Sequence, residues 1–356
     1  MNFKKIIFFL VLPIILWNCK DVKKETAFSS SEDSFTLIVF PDTQIYSKDR
    51  PSWRRSSKKE VFTDMTQWVA DRAKADNIKF VLHMGDIVNE DYEPYQWENA
   101  NKAMSILDGV VPYAMVVGNH DMYLGNEESP RDSIRNTTNF NRTFPHSRYQ
   151  KEDWYGGRMK KDWFIPHDSY DNNYHFFNQG KLEFMIVNLE AGPTDAMLDW
   201  ANNLIAKYPS KRVIVMTHSY MLGNDKRDYP DGFGYLPPNS NTGEEIWEKL
   251  IKKHKNIFLV LSGHIGNTND HRGLMASKGI NGNTVYQQLH GDAFDGWLRI
   301  LRFVPAENKI HVKSYSPWKP KHPKEQLRQY EFSLPGYNRD SIHQYELRYT
   351  MDLIEK

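Results

Sequence analysis

The run Phe35–Phe40 reads FTLIVF and stops at Pro41-Asp42. The same design recurs along the chain. Ile78–Met84 ends at Gly85-Asp86, Val110–Val117 at Gly118-Asn119, Arg212–Met216 at Thr217-His218, and Ile257–Leu261 at Ser262-Gly263-His264. A run that is apolar at both even and odd positions has no face to give to water, so both its faces must be covered. Between the runs lie segments of helical period. Glu60–Ala75 carries Val61, Met65, Trp68, Val69 and Ala73, mostly at three- and four-residue steps. Trp97–Leu107 and Asp195–Lys207 are similar, and Thr242-Gly243-Glu244-Glu245 is a capping-box pattern that opens a helix through Lys253. The alternation predicts an α/β fold with a largely parallel sheet covered by helices.

Two regions break the rhythm. Tyr174–Leu189 reads as two strands around Asn178-Gln179-Gly180-Lys181, a hairpin signal. Thr284–Tyr315 holds two or three further β-like runs with a turn near Pro305–Asn308, which points to antiparallel strands and a second sheet. Met122–Asn173 is a long polar and aromatic insertion of the kind that serves function or forms a lid. Its aromatic residues between Trp154 and Trp163 could pack a small subdomain or offer a platform for a sugar or base, and packing is the commoner use of such rings. The segment 318–356 receives no role.

The amino end is a separate case. Lys4 and Lys5 precede the apolar stretch Ile6–Leu16, which leads to Cys19, the only cysteine of the chain. A basic start and a short apolar run predict an export signal. The cysteine directly after it resembles the lipid-modified cysteine of bacterial lipoproteins, although Asn18 is larger than the residue usual there. An uncleaved amino-terminal anchor is the other reading. Residues 1–19 are thus expected to direct export and lipid anchoring at Cys19 to the cell envelope, and polar residues 20–34 to form a tether. With no second cysteine the fold must rest on its core, and a 40% hydrophobic composition suffices for one. A formal net charge of +1 gives no global field that would recruit nucleic acid.

The five strand ends carry Asp42, Asp86, Asn119, His218 and His264. In open α/β sheets ligands bind beyond the carboxyl ends of the strands. Alone, each residue has a plain explanation: a turn aspartate, a capping asparagine, a satisfied histidine. Together they suit a pair of divalent ions. Two cations about 3.5–4 Å apart need a carboxylate between them, and such a pair activates water and clamps a phosphoryl group. Mixed oxygen and imidazole donors favour Mn, Fe, Zn or Ni. The departing alkoxide then needs a proton, which an imidazole can supply near neutral pH.

The blocks PDTQ (Pro41–Gln44), GDIVNE (Gly85–Glu90), GNHD (Gly118–Asp121), MTH (Met216–His218) and SGHIGN (Ser262–Asn267) resemble, in this order, those of calcineurin-like metallophosphoesterases, over roughly residues 35–315. The resemblance implies a two-sheet mixed β sandwich flanked by helices, over a domain 35–317 that contains the insertion 122–173. It implies that Asp42 and Gln44 bind a first metal, that Asp86 bridges, and that Asn119, His218 and His264 complete a second. It further implies that a hydroxide between the ions attacks phosphorus while His120, outside the metal shell, protonates the leaving oxygen or binds the phosphate. The substrate would be a small-molecule or glycan-linked phosphate ester.

Two departures fall on the first metal. Gln44 stands where the family often has histidine, and Gly266 where it often has a second one. Gln44 is then a weak ligand or an outer hydrogen-bond partner, and His290, His271 and Asn267 are candidates to complete that ion's shell. Asn89, three residues after Asp86, matches neither the tyrosine of purple acid phosphatases nor the Asp-Arg-Gly of protein Ser/Thr phosphatases, and is a candidate to orient His120. His83, inside an apolar run, reads first as a core histidine. The same departures leave room for a second expectation: an envelope lipoprotein whose degenerate site binds glycans or phosphorylated ligands.

Overall fold

The computed structural model describes residues 33–48, 59–122, 135–160, 169–228, 236–265, 272–291, 296–318, 321 and 344–351. Two mixed sheets lie in it. In the first, β1 (Phe35–Phe40), β2 (Ile78–His83) and β3 (Tyr113–Met115) run parallel. The antiparallel strands β11 (Leu298–Val304), β12 (Lys309–Tyr315) and β13 (Gln344–Arg348) extend it in the order β13-β12-β11-β1-β2-β3. In the second, β6 (Leu182–Leu189), β7 (Arg212–Thr217), β8 (Ile257–Ser262) and β10 (Thr284–His290) are parallel. The strands β4 (Tyr155–Arg158), β5 (Asn173–Gln179) and β9 (Arg272–Lys278) complete the order β4-β5-β6-β7-β8-β10-β9.

The double-sided apolar runs have their expected use. One face of each sheet builds a shared inner layer, with Leu37, Val39, Leu82 and Ala114 on one side and Phe184, Ile186, Ile214 and Leu259 on the other. The outer face of the first sheet, including Ile38, Phe40, Val81 and Met115, packs on Val61, Met65 and Val69 of α2 (Lys59–Arg72) and Ala100 and Met104 of α3 (Pro94–Met104). The outer face of the second, with Met185, Val187, Val213 and Val215, packs on Leu198, Ala201 and Ile205 of α5 (Asp195–Ala206) and Ile246 and Trp247 of α6 (Gly243–Lys249). At roughly 1.5–3 kcal/mol for each fully buried large apolar side chain, these three layers dominate the stability. The Thr242 capping box forms as its sequence predicts, with Thr242 N–H donating to Glu245 Oε2 at 2.9 Å and Glu245 N–H to Thr242 Oγ1 at 3.3 Å. The hairpin β5–β6 turns at Gly180, where φ is +55°.

The third apolar run is shorter as a strand than its sequence suggests. Only Tyr113–Met115 join the ladder. Pro112 precedes them, and beyond them Val116 N–H still reaches the His83 carbonyl at 3.0 Å while the Val117 carbonyl accepts from the N–H of Ala191, two residues past the end of β6 in the other sheet, at 2.8 Å. Residues 116–117 therefore cross from one sheet to the other just before Asn119. β10 also differs from expectation: it runs parallel to β8 and antiparallel only to β9.

Within the insertion, Trp154 packs edge-on to Phe80 (5.4 Å) and beside His175 (5.2 Å), so this ring serves packing. Trp163 lies outside the described residues. In the carboxy-terminal segment, β13 covers the β12 edge, Tyr349 stacks on Phe258 at 4.1 Å, and Tyr286 Oη donates to the Arg348 carbonyl at 2.7 Å. The end of the chain thus ties the two sheets together.

Candidate metal centre

Because β1, β2, β3, β7 and β8 present their carboxyl ends at one rim, the residues that follow them meet there. His218 stands in the middle. Its Nδ1 lies 2.7 Å from the Met84 carbonyl, an atom that can only accept, so Nδ1 carries the hydrogen. Its Nε2 faces Asn119 Oδ1 at 3.1 Å, Asp86 Oδ1 at 3.2 Å and His264 Nδ1 at 3.3 Å. Asp42 joins through Oδ1, which accepts the His264 N–H at 3.3 Å. A proton on Nε2 serves one of these acceptors well. A cation serves all of them, and Asp86, His218 and His264 offer donor atoms that lie within 4.8 Å of one another.

The backbone is shaped to hold them. Asp86 (φ +49°) and His264 (φ +72°) both occupy the left-handed region, a conformation that costs a non-glycine residue roughly 1–3 kcal/mol and concentrates at functional sites. Gly118 and Gly263 are cradles. A Cβ on Gly118 would lie 2.2 Å from Asp86 Oδ1, and one on Gly263 would lie 2.3 Å from Asp42 Oδ1.

Electrostatics point the same way. Burial pushes the Asp42 carboxyl up to about 7, and the Asp86 charge adds to this against the pull of His218. Burial also works against the Asp86 charge, yet the His218 and His120 rings hold its carboxyl well below the usual carboxylate range. Burial resists a charge on His218, but Asp86 and Asp42 together push it up to about 10. Loss of solvation, helped by the His218 charge, lowers the partly buried His264 to about 3. Two buried carboxylates therefore demand compensating positive charge, which protons supply through His218 and divalent ions can supply better. Gln44, the first residue of α1 (Gln44–Lys48), fits this donor set: its buried Oε1 has no hydrogen-bond partner among the described residues.

His120 stands beside the cluster. Its backbone N–H donates to Asp86 Oδ1 at 3.0 Å and its Nδ1 lies 2.8 Å from the Asn89 carbonyl. The main-chain carbonyl of Asn89, not its amide, thus orients the ring; the amide donates to Glu90 Oε1. His290 lies at the carboxyl end of β10, one residue past the Leu289–Ser262 register pair and therefore beside Gly263. Gly266, Asn267 and His271 lie outside the described residues.

Two further residues support the rim without a role assigned from the sequence: Asp121, the last residue of the GNHD block, and Gln96, which lies outside every block. Asp121, fully buried, accepts from Ile87 N–H (2.7 Å), Val88 N–H (3.0 Å) and Gly118 N–H (2.8 Å), and so locks the Asp86 loop to the Asn119 loop. Gln96 Oε1 accepts from Asn89 N–H (2.8 Å) and Glu90 N–H (3.1 Å), fixing the carbonyl that holds His120. Asp121 reaches N–H groups 33 and 34 positions away and Gln96 reaches groups six and seven positions away, and a linear pattern does not show which amide a side chain meets.

Residues 35–268 match the family model described as calcineurin-like phosphoesterase. The chain belongs to the calcineurin-like phosphoesterase family. Members of this family depend on two metal ions, and its fold is the two-sheet arrangement found here. This chain is 29% identical over 299 residues to the uncharacterized protein YvnB of Bacillus subtilis (strain 168), across 81% of its own length and 20% of that relative's. The chain thus spans about a fifth of the length of YvnB. Among solved structures, it is similar to a dimetal phosphatase from Danio rerio (TM-score 0.49, 14% identity, 80% of this chain and 96% of that one). It is also similar to a purple acid phosphatase from yellow lupin seeds (TM-score 0.47, 13% identity, 80% and 52%).

Proposed function

We propose that this calcineurin-like phosphoesterase hydrolyses a phosphate ester at the rim described above, with two divalent ions drawn from Mn, Fe, Zn or Ni. Asp42 and Gln44 would hold one ion, Asn119, His218 and His264 the other, and Asp86 both. When bound, such a pair supplies Lewis-acid polarisation of the phosphoryl group and an activated water. The chain's own contribution is to place these donors and a proton source on one frame. Asp86 does both: one of its carboxylate oxygens faces His218 Nε2 and also accepts the His120 backbone N–H. The Asn89 carbonyl holds Nδ1 of His120, so Nε2 carries the proton to the leaving oxygen.

The observation that carries this reading is the set of three acceptor atoms within 3.1–3.3 Å of His218 Nε2, with His120 tethered to one of them. The test is metal analysis of the purified chain, with hydrolysis of 4-nitrophenyl phosphate and bis(4-nitrophenyl) phosphate under each metal. His120→Ala should lower kcat by about 10²–10⁴ with metal content intact, whereas Asp86→Ala should lose metal as well. Full activity in His120→Ala refutes its role. A chain that binds no metal and hydrolyses neither ester favours the ligand-binding alternative. We also propose export and lipid anchoring through Cys19, supported by the basic-apolar-cysteine order of the amino end. Radiolabelled palmitate should enter the wild type and not Cys19→Ser when both are expressed in bacteria.

A further inference from the structure

Strand β2 places one histidine in the core. His83 is fully buried, with the Phe40 and Phe62 rings about 6 Å away. Its two ring nitrogens serve different loops. Nε2 lies 2.9 Å from Thr43 Oγ1, and Nδ1 accepts from Gly85 N–H at 3.2 Å. One tautomer satisfies both contacts: Nδ1 bare, and Nε2–H donating to Thr43, whose hydroxyl in turn lies 3.4 Å from the Ile87 carbonyl. Thr43 directly follows Asp42, and Gly85 directly precedes Asp86.

We propose that His83 is a positioning residue of the metal centre, cross-bracing the two loops so that the Asp42 and Asp86 carboxylates stand at the spacing a shared ion pair needs. This rests on the metal-dependent reading above and adds a part to it. The brace answers a local problem. Gly85 (φ +93°) and Asp86 (φ +49°) turn the chain out of the ladder, so the Gly85 N–H needs an acceptor from elsewhere. Left unpaired in the core, such a group costs about 1–3 kcal/mol. An apolar residue at position 83 would fill the space and leave that N–H unmet. The loops also touch directly, Thr43 N–H to the Asp86 carbonyl at 3.0 Å, and the imidazole adds a rigid second link on either side of that contact. Burial, helped by the nearby His218 charge, lowers His83 to about 3, so the ring stays neutral and keeps one tautomer.

Four variants separate the links. His83→Leu removes both. His83→Asn puts an amide oxygen near the place of Nδ1 and retains the Gly85 link, whereas His83→Gln puts an amide nitrogen near the place of Nε2 and retains the Thr43 link. Thr43→Val removes the Thr43 link with the ring in place. Stepwise Mn(II) and Co(II) affinities are measured by calorimetry, with the Co(II) absorption spectrum as a readout of ligand geometry. His83→Leu and Thr43→Val should weaken the ion held by Asp42 by about 10–100-fold, the usual effect of losing an outer-shell partner. His83→Gln should recover most of that loss and His83→Asn less. Wild-type affinities and spectra in both His83→Leu and Thr43→Val would overturn the proposal and leave the histidine as core filling, even if both melt lower. Should His83→Leu fail to fold, Thr43→Val alone decides in the same way. A wild-type chain that binds no ion instead overturns the metal-dependent reading itself, which is a distinct result.

Discussion

Gly118→Ala should disable the metal centre through one methyl group. The new Cβ would lie 2.1 Å from Asp86 N and 2.2 Å from Asp86 Oδ1. Real Cβ contacts essentially never fall under 3.0 Å, so the Gly118 and Asp86 loops must part by about 1 Å. Metal–ligand distances tolerate about 0.2 Å. The forced movement is several times that, and it acts on the carboxylate that both ions would share. Asp86 cannot yield cheaply, because its φ is already +49° and its loop is pinned by Asp121. Overpacking of this kind costs about 1–3 kcal/mol of stability, and metal affinity should fall at least 10–100-fold. The assay pairs Mn(II) calorimetry with urea unfolding in EDTA, which reads the protein term alone. Gly109→Ala is the control: its φ of +70° carries backbone strain, but nothing lies within 4 Å of the added Cβ, so metal affinity should hold. A Gly118→Ala chain that binds both ions within threefold of wild type would refute the close-approach argument.

Three further outcomes are expected. His175 is fully buried away from the rim, and burial lowers it to about 3 from an ordinary 6.5. The unfolded chain binds this proton below 6.5 and the folded chain does not, so the stability it contributes is complete above 6.5 and is lost as pH falls towards 3. At about 1.4 kcal/mol per pH unit, wild type should lose roughly 3 kcal/mol relative to His175→Phe between pH 8 and pH 4.5; parallel urea curves at the two pH values would refute it. Metal loading must displace the proton that Asp86 and Asp42 hold on His218 up to about 10. Ion binding at pH 7.5 should therefore release about one proton, read from calorimetric enthalpies in buffers of different ionisation heat, and affinity should rise with pH; buffer-independent enthalpies would contradict this. Gln96→Leu strips the acceptor from the Asn89 and Glu90 N–H groups. It should cost about 1–3 kcal/mol and lower kcat on esters with poor leaving groups more than on nitrophenyl esters, at unchanged metal content.

The central strands were legible because they are apolar on both faces, a pattern that only full coverage explains. Three of the four edge strands, β4, β9 and β13, were not. β9 (RGLMASK) and β13 (QYELR) mix charges with apolar residues because one side of each faces solvent, so neither shows a run. β4, with Gly156 and Gly157, needs glycine because a Cβ on Gly156 would meet the Tyr174 ring at 2.4 Å. That constraint exists only once β5 lies beside it. The rim residues could be read for a related reason: a strand end offers few positions, and a metal centre limits which side chains fill them. The parts that hold those residues in place escaped notice. Asp121 and Gln96 act on N–H groups between three and 34 positions away, and many polar side chains can accept a main-chain N–H, so residue type alone singles out neither position.

That division has a mechanical cause. The rim carries two costs: left-handed backbone at Asp86 and His264, and acceptor atoms crowded around one nitrogen. Left alone, such a cluster would relax by rotating Asp86 or His264 outward. The hydrogen bonds that oppose this come from outside the cluster. Three N–H groups converge on Asp121, the Met84 carbonyl fixes the His218 ring, and two N–H groups end on Gln96. None of these bonds needs an ion, so the folding free energy of the sheets already holds the donors together. An ion of the proposed pair would then meet ligands that have lost their freedom beforehand, and the ordering cost would not subtract from its affinity. On the proposed reading a weak ligand such as Gln44 would be tolerable at a rim of this kind, because its shape is set by the scaffold and not by the strength of each bond to the metal.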